Sequence, residues 1–279
     1  MKKVVTIMAC RNEEKNINQV LLSLENQSIA PIQVIIVDDA SSDSTYDIIE
    51  QFSKKNKNWV TFKRIRNDER YISIVNTMRK ASEMIEKEFD FLMVLDGDTI
   101  LEDKYIEKIL DKFEFDSKLG IAGGILLSIE DSKEQFKQLY DNEVFGSNRV
   151  YSKRCWNEIN EGKILNVITI AWDTEHSIKA KIRGYETKRF GDIFSKSIKP
   201  PSNNQPFYLR GVLKYQFGLG FLHIFISGIF HLKPHFILGY IMAWLNRKPK
   251  IDNQENMLKI NNLYNQIFLN KIKKILRLN

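Results

Sequence analysis

The sequence predicts an open α/β sheet with helices on both faces, followed by a helical appendage at the carboxyl end. Three observations carry this reading. Short apolar, β-branched runs alternate with amphipathic helical patterns from Val4 to Leu95. Polar or acidic residues stand immediately after three of those runs, at the carboxyl ends of the strands, where ligands bind in open α/β sheets. After Pro200-Pro201 the composition shifts to long uncharged stretches and then to a basic tail. With 279 residues, 43% of them hydrophobic, the chain can bury one large domain or a domain plus an appendage, which excludes disorder. Only 13 Gly and 6 Pro, with no fixed-period repeat, exclude collagen-like chains and solenoids.

Val4 to Met8 is continuously apolar, as a strand buried on both faces of a parallel sheet must be. Asn12-Glu13-Glu14 then opens a helix whose stripe is Ile17, Val20, Leu21 and Leu24, at spacings of three and four. Pro31 interrupts, Gln33 to Val37 forms a second buried strand, and it stops at Asp38-Asp39. Ser41-Ser42-Asp43-Ser44 starts another helix, with Tyr46, Ile49 and Phe52 inward, and Val60-Thr61-Phe62 is a third strand. A helix from Ile72 to Ile85 leads into the strand Phe89 to Leu95, which ends in Asp96-Gly97-Asp98. Farther on, Tyr105–Phe113 and Asp173–Arg183 read as helices, and Gly120 to Leu126 as a tight approach into a strand.

Tyr215 to Leu232 holds no Asp, Glu, Lys or Arg over 18 residues, and a second uncharged piece runs from Pro234 to Asn246. Hinged at Lys233-Pro234, the two form a helical hairpin. It is too short and too polar to span a bilayer, so the reading is in-plane or re-entrant membrane association, with a buried core helix pair as the alternative. Met257, Ile260, Tyr264, Ile267, Phe268, Ile272 and Ile275 line one face of a final helix that carries Lys271, Lys273, Lys274 and Arg277 elsewhere, the pattern of a reader of anionic lipid or of a solvated helix packed on the domain. The net charge of +7 is concentrated here: Asn246 to Asn279 has eight basic and two acidic residues, a net +6. A basic face for nucleic acid across the whole chain is therefore disfavoured. Two cysteines, Cys10 and Cys155, stand far apart and outside any CxxC, which argues against a disulfide framework or zinc module. Met1-Lys2-Lys3 runs straight into the first strand without a signal-peptide pattern, so the expectation is a cytoplasmic protein, peripheral or monotopic at the membrane.

Asp96-Gly97-Asp98 presents two carboxylates one residue apart across a glycine. Such hard oxygens suit Mg²⁺ or Mn²⁺, ions that complete their shells with water and substrate phosphates, although strand-end turns are rich in Asp and Gly for purely structural reasons. Asp38-Asp39 is placed to accept hydrogen bonds from a base N–H or ribose hydroxyls, or to serve only as a turn beside a Ser42 or Asp43 cap.

Taken in order and spacing, Met8-Ala9-Cys10-Arg11-Asn12-Glu13-Glu14, Val37-Asp38-Asp39-Ala40-Ser41-Ser42-Asp43-Ser44-Thr45 and Leu95-Asp96-Gly97-Asp98-Thr99 resemble the family 2 glycosyltransferases of the GT-A fold. The likeness is specific from the start of the chain to this third motif and looser to about residue 220. It implies a nucleotide-diphosphate sugar donor, UDP- or GDP-linked, with Ala9, Arg11 and Glu13 along the nucleoside and Asp38 or Asp39 on the base and ribose. Asp96 and Asp98 fall at the sugar and metal, Asp98 being the favoured direct ligand. The sequence departs at Ala9, where the family commonly has Pro. The family's base comes from a Glu-Asp pair at a helix start, which Ala171 to Ala180, followed by Gly184-Tyr185-Glu186, resembles with Trp172 in place of the Glu. Asp173 is then the base, which can also be the helix cap, with Glu175 as fallback; His176 is a helix-surface or core histidine. Gly146 to Tyr151 resembles the acceptor-side loop and points to Asn148. Tyr208-Leu209-Arg210-Gly211 looks like the segment that closes over the donor phosphates, with Arg210 or Lys214 as the cation.

The processive QxxRW signature is absent, because Arg210 follows Gln205 at the wrong spacing and no Trp comes next, which argues for one sugar per encounter. His223, His231 and His235 are open between a third metal ligand and polar punctuation. The expected domains are 1–213, the glycosyltransferase, and 214–279, a membrane-associating helical region. The expected function is an inverting, metal-dependent transfer to a lipid-linked or saccharide acceptor at an anionic membrane surface, without nucleic acid. A polyprenyl-phosphate sugar synthase is the near alternative. A nucleotidyltransferase would want a Gly-rich basic loop where Ala9 to Glu14 is acidic, and a non-enzymatic membrane-surface protein would leave the aligned carboxylates unexplained.

Overall fold

The computed structural model describes residues 2–66, 70–130, 133–136, 144–162, 165–199, 206–220, 224 and 234–276. The chain divides into two compact units, Met1–Asn166 with Arg183–Pro201, and Val167–Ile182 with Ser202–Asn279.

In the first unit, β1 (Val4–Cys10), β2 (Gln33–Asp38) and β4 (Phe91–Asp96) form the centre of a parallel sheet with β3 (Trp59–Lys63) at one edge, in the order β3-β2-β1-β4. Every residue of β1 and β2 is buried, and apart from Thr6, Gln33 and Asp38 both strands are apolar, as strands covered on two faces are. Between them lie α1 (Ile17–Glu25), α2 (Thr45–Lys55) and α3 (Arg70–Glu83). α1 buries the expected stripe of Ile17, Val20, Leu21 and Leu24, in one core with Val4, Met8 and Cys10 of β1 and Ile49 of α2. α3 packs on β1 and β2 outside that core. Because side chains alternate across a strand, helices therefore cover both faces.

The rest of the sheet is mixed. β5 (Thr99–Leu101) and α4 (Tyr105–Phe115) precede β6 (Leu119–Glu130), β7 (Lys133–Phe136), β8 (Asn148–Ser152), α5 (Lys153–Ile159) and β9 (Glu186–Ser197). β8 joins β4 antiparallel, and the order continues β8-β6-β9-β5, with β7 on β6. β6 and β9 run parallel with register shifts at Leu119/Ile121 and Gly124/Ile125. Gly124 sits at the second shift because a Cβ there would lie 2.5 Å from the Ile193 carbonyl oxygen.

The second unit is helical: α6 (Trp172–Ile182), α7 (Phe207–Gln216), α8 (Pro234–Leu245) and α9 (Gln254–Leu276). Its core joins Ile178 of α6 and Leu213 of α7 to Tyr240 of α8 and Ile260 of α9. α7 and α8 cross glycine to backbone: a Cβ on Gly239 would run into the Tyr208 carbonyl, and one on Gly211 into the Phe236 carbonyl. The division at 213/214 is thus not where the compact units part, because α6 and the first turns of α7 share a core with the carboxyl-terminal helices. Among the described residues no helix is long and apolar enough to cross a membrane. The first arm of the expected hairpin and its Lys233 hinge lie largely outside the described residues, as do Gln205, His223, His231 and Arg277.

Candidate active site

The carboxyl ends of β1, β2 and β4 bring the three sequence motifs together. Register does this directly, since Ala9 pairs with Val37 on one side and Asp96 on the other, and Cys10 pairs with Asp38. The loops that leave these strands are then tied to one another. Asn12 adopts a left-handed backbone (φ 51°), its N–H donates to Ser41 Oγ at 2.9 Å, and its Oδ1 accepts from the Ser42 N–H at 3.0 Å. The Glu13 N–H donates to Thr45 Oγ1 at 2.7 Å. Asp43 serves the second loop through Oδ1, which accepts from the Thr45 N–H at 3.1 Å and from its hydroxyl at 2.5 Å. Arg11, by contrast, stands exposed to solvent.

The two adjacent aspartates of the second motif do different work. Asp38 is fully buried; Oδ2 accepts from the Ser41 N–H at 3.0 Å and Oδ1 from the Ser41 hydroxyl, so it braces the turn. Asp39, also buried, accepts from Arg64 Nε at 3.0 Å and from the Ser73 hydroxyl, while Arg64 Nη2 also donates to Ser73 Oγ at 2.8 Å. Of the pair, Asp39 is the one whose carboxylate lies beside a guanidinium. Arg64 and Ser73 escaped the sequence reading because they stand 25 and 34 residues from Asp39 with no local pattern linking them.

Gly97 is required for packing as well as for the turn: a Cβ there would lie 2.5 Å from Cys10 Cβ. Its N–H donates to the Ala9 carbonyl at 3.2 Å, and the Asp96 N–H donates to the Ser147 carbonyl at 3.1 Å, which fixes the Asp-Gly-Asp corner against β1. Asp98 is half-buried, with the Thr99 hydroxyl 3.4 Å from Oδ1. Burial, and then the negative charge of Glu13, push its carboxyl above the usual aspartate range, against an opposing pull from Lys199. Lys199, two residues beyond β9, pairs with Glu13 Oε1 and so brings a cation to this acidic edge. Lys199 is a cation that the sequence alone, which points to Arg210 or Lys214, does not single out. The only signal was a lysine just after the strand that follows the Gly184-Tyr185-Glu186 turn.

These residues suit a divalent cation of a particular kind. A desolvated carboxylate held next to another negative charge is stabilised when a cation arrives. Asp96 and Asp98 supply hard oxygens one residue apart. That matches Mg²⁺ or Mn²⁺ held by one or two carboxylates, water and substrate phosphate. Cys10 lies behind the edge, its thiol raised well above the usual value by burial and by Asp38, Glu13, Asp43 and Asp39.

Of three other expected residues, Asn148 pairs in register with Leu95, next to Asp96, while Asp173 and Arg210 belong to the second unit. Asn148 is fully buried at the start of β8, donating from Nδ2 to Ser195 Oγ at 2.7 Å and the Gly124 carbonyl at 3.3 Å, so it brackets β6 and β9. Asp173 is partly exposed on the first turn of α6 in the second unit, where Oδ1 accepts the Thr174 N–H at 2.7 Å. Its fallback, Glu175, is fully buried, accepts from the N–H groups of Ile168 (3.1 Å) and Thr169 (2.8 Å), and pairs with Lys179 at 2.8 Å. Glu175 is therefore spoken for as a structural anchor and is withdrawn as a base. Arg210 is on α7, also in the second unit, with its guanidinium over the Phe207 ring at 5.0 Å.

Comparison with known proteins agrees with this geometry. Residues 5–182 match the family model described as Glycosyl transferase family 2. A poly-beta-1,6-N-acetyl-D-glucosamine synthase of Staphylococcus epidermidis is 26% identical over 122 residues, covering 42% of this chain and 27% of that protein. An uncharacterised protein of Methanocaldococcus jannaschii is 32% identical over 111 residues, 40% of this chain and 47% of its own length. The chain thus spans a quarter to a half of these curated relatives. Among solved structures, the mannosyltransferase PcManGT of Pyrobaculum calidifontis, in complex with GDP-Man and Mn²⁺, superposes with TM-score 0.55 at 14% identity over 77% of this chain and 61% of that one. S. aureus TarS 1-349, in complex with UDP-GlcNAc, gives 0.55 at 16% identity over 76% and 66%. At such identities the superpositions establish a shared GT-A fold. With the family match covering most of the chain and its motifs gathered at one sheet edge, the chain belongs to glycosyl transferase family 2.

Proposed function

We propose that the chain is an inverting, metal-dependent glycosyltransferase that moves one sugar per encounter from a UDP- or GDP-linked donor to a lipid-linked or saccharide acceptor at the cytoplasmic face of a membrane. The observation that carries this reading is the half-buried Asp98 carboxylate, desolvated and set beside Glu13 at the ends of β1 and β4. The donor complexes of PcManGT and TarS support a nucleotide-sugar ligand for the same fold.

In this reading Asp39 and Arg64 form the base-facing rim, acceptor beside donor. Ala9, Arg11 and Glu13 line the nucleoside, and Asp38 holds the loop that keeps Asp39 in place. Asp98, with Asp96, holds the metal, which when bound neutralises charge on the departing diphosphate. Arg210 is the second cation for that diphosphate. Asp173 accepts the acceptor hydroxyl's proton as the oxygen bonds to the anomeric carbon and the bond from that carbon to the diphosphate oxygen breaks. Attack from the opposite side inverts the centre, and the nucleoside diphosphate leaves with the bonding pair.

The test is a thermal-shift series with UDP, GDP and their sugar conjugates, each with and without Mn²⁺, on the protein and on Asp98→Ala. A ligand that binds only the native state raises Tm by mass action. A metal-dependent shift with one nucleotide class, lost in Asp98→Ala, is the expected result; a folded protein that shifts with none overturns the reading. Asp173→Asn separates acceptor chemistries. A hydroxyl acceptor needs the base, whereas a polyprenyl phosphate brings an oxygen that is already anionic and retains transfer without it.

A further inference from the structure

α8 is apolar around nearly its whole circumference, and among the described residues it is packed on one side alone. Gly239, Tyr240 and Ala243 are buried, with the glycine contacts to α7 on that side. Across the helix, Leu238 and Leu245, seven residues apart and so on one face, are 49% and 59% exposed, with half-exposed Ile241 between them and Trp244 on the flank at 61%. A helix hydrophobic all round belongs inside a protein core or in contact with lipid. Twelve residues give a length of about 18 Å, far short of the ~30 Å needed to span a bilayer, so such a helix lies in the plane.

The residues just beyond the helix decide between partners. The chain turns at Arg247, left-handed at φ 49°, with the Arg247 N–H donating to the Trp244 carbonyl at 3.1 Å and the Lys248 N–H to the Ala243 carbonyl at 3.0 Å. Arg247 and Lys248 are thereby fixed, exposed, one turn from Trp244. Lys250 is different: its ammonium sits 3.2 Å from the centroid of the Tyr215 ring and donates to the Tyr215 carbonyl. An apolar face edged by an indole and closed by two exposed cations is complementary to the acyl boundary and phosphate layer of an anionic membrane.

We propose that the outer face of α8 seats in an anionic lipid surface, with Leu238, Ile241, Trp244 and Leu245 in the interface and Arg247 and Lys248 at the headgroup phosphates. This deepens the membrane-face part of the proposed function and is independent of the transfer chemistry. The molecule carries its own reporter: of its four tryptophans, Trp59, Trp156 and Trp172 are buried and Trp244 is exposed.

The full chain is titrated with vesicles of phosphatidylcholine alone and with vesicles containing phosphatidylglycerol, reading sedimentation and tryptophan emission. Partition onto the anionic vesicles with a blue shift that Trp244→Phe abolishes is expected. At about 1 kcal/mol per cation near the surface, R247A/K248A weakens partition about thirty-fold, and Leu238→Ser with Leu245→Ser removes it. Failure to bind anionic vesicles overturns the proposal. So does binding that survives both variants, which would move the contact to the basic end of α9, and so does vesicle-free self-association lost in the Leu variants, which would make the occupant a second copy. Thermal shift with UDP and GDP on the same samples keeps the readings separable. A retained nucleotide shift without vesicle binding sinks this proposal alone; vesicle binding without any nucleotide shift sinks the donor reading alone.

Discussion

Glu175, on the first turn of α6, is wholly out of solvent, with two backbone N–H groups and the Lys179 ammonium filling its oxygens. Asp98, after β4, keeps part of its surface in water, lies near the negative Glu13 and has a hydroxyl at 3.4 Å from one oxygen. Both are carboxylates at the edge of an element in an acidic stretch. A buried carboxylate with its lone pairs filled holds structure and has no capacity left for a ligand. One that is desolvated, partly open and crowded by like charge is held in a state that an incoming cation relieves.

The largest expected effect tests the structural side. Lys179→Met leaves a buried carboxylate without its counter-charge, which costs about 3–5 kcal/mol, read as a fall in the urea midpoint. A cost under about 1 kcal/mol would free Glu175 to act as a base again. On the functional side, Asp98→Ala is expected to leave the urea midpoint unchanged or raised while transfer falls at least about 100-fold, the scale of losing one preorganised electrostatic contact. A variant with equal losses in stability and transfer would erase the distinction.

Next in size is Gly97→Ala. Its Cβ must displace Cys10, and overpacking of this kind costs about 1–3 kcal/mol. Gly191→Ala on β9, where the position is exposed and an added Cβ would have its nearest neighbour 4.0 Å away, stays within about 0.5 kcal/mol. Equal costs would mean the Asp-Gly-Asp corner is not held by β1. The smallest effect is in pH. Because burial and Glu13 raise the Asp98 carboxyl, Mn²⁺-dependent nucleotide binding weakens, as pH falls, at a pH above the ordinary aspartate value of 3.8. The same shift makes the folded state favour the protonated carboxyl. The group's contribution to stability is therefore present below 3.8 and lost as pH rises through the raised value, a slope that Asp98→Asn removes.

Much of the parallel half of the sheet was readable from residues alone, because strands covered on both faces must be apolar throughout and can be polar only where they end. That rule located β1, β2 and β4 and, at their ends, Asp38, Asp39, Asp96 and Asp98. The mixed half obeys no such rule: β6 and β9 pair through register shifts at Gly124, and β8 carries Asn148 inward as a bracket. A polar residue in a loop-like stretch therefore looked available when its amide was already used. Lys199 and Arg64 were illegible for a related reason, since their partners Glu13 and Asp39 are 186 and 25 residues away. In the second unit α6 and α9 were periodic enough to find and α8 showed as an uncharged run, while the grouping of α6 with α7 to α9 depends on which faces meet at Ile178 and Leu213.

The carboxylates that follow β1 and β2 also act on the thiol at the end of β1. Cys10 is enclosed by burial and by Asp38, Glu13, Asp43 and Asp39, all of which oppose the thiolate, and burial likewise pushes Cys155 up to about 12. Only the thiolate attacks peroxide, disulfides or alkylating reagents at useful rates. A cysteine three residues before Glu13, on a strand end beside Asp38, is thus held toward its thiol form, with Glu13 acting on both Cys10 and Asp98, while it remains the residue against which Gly97 packs.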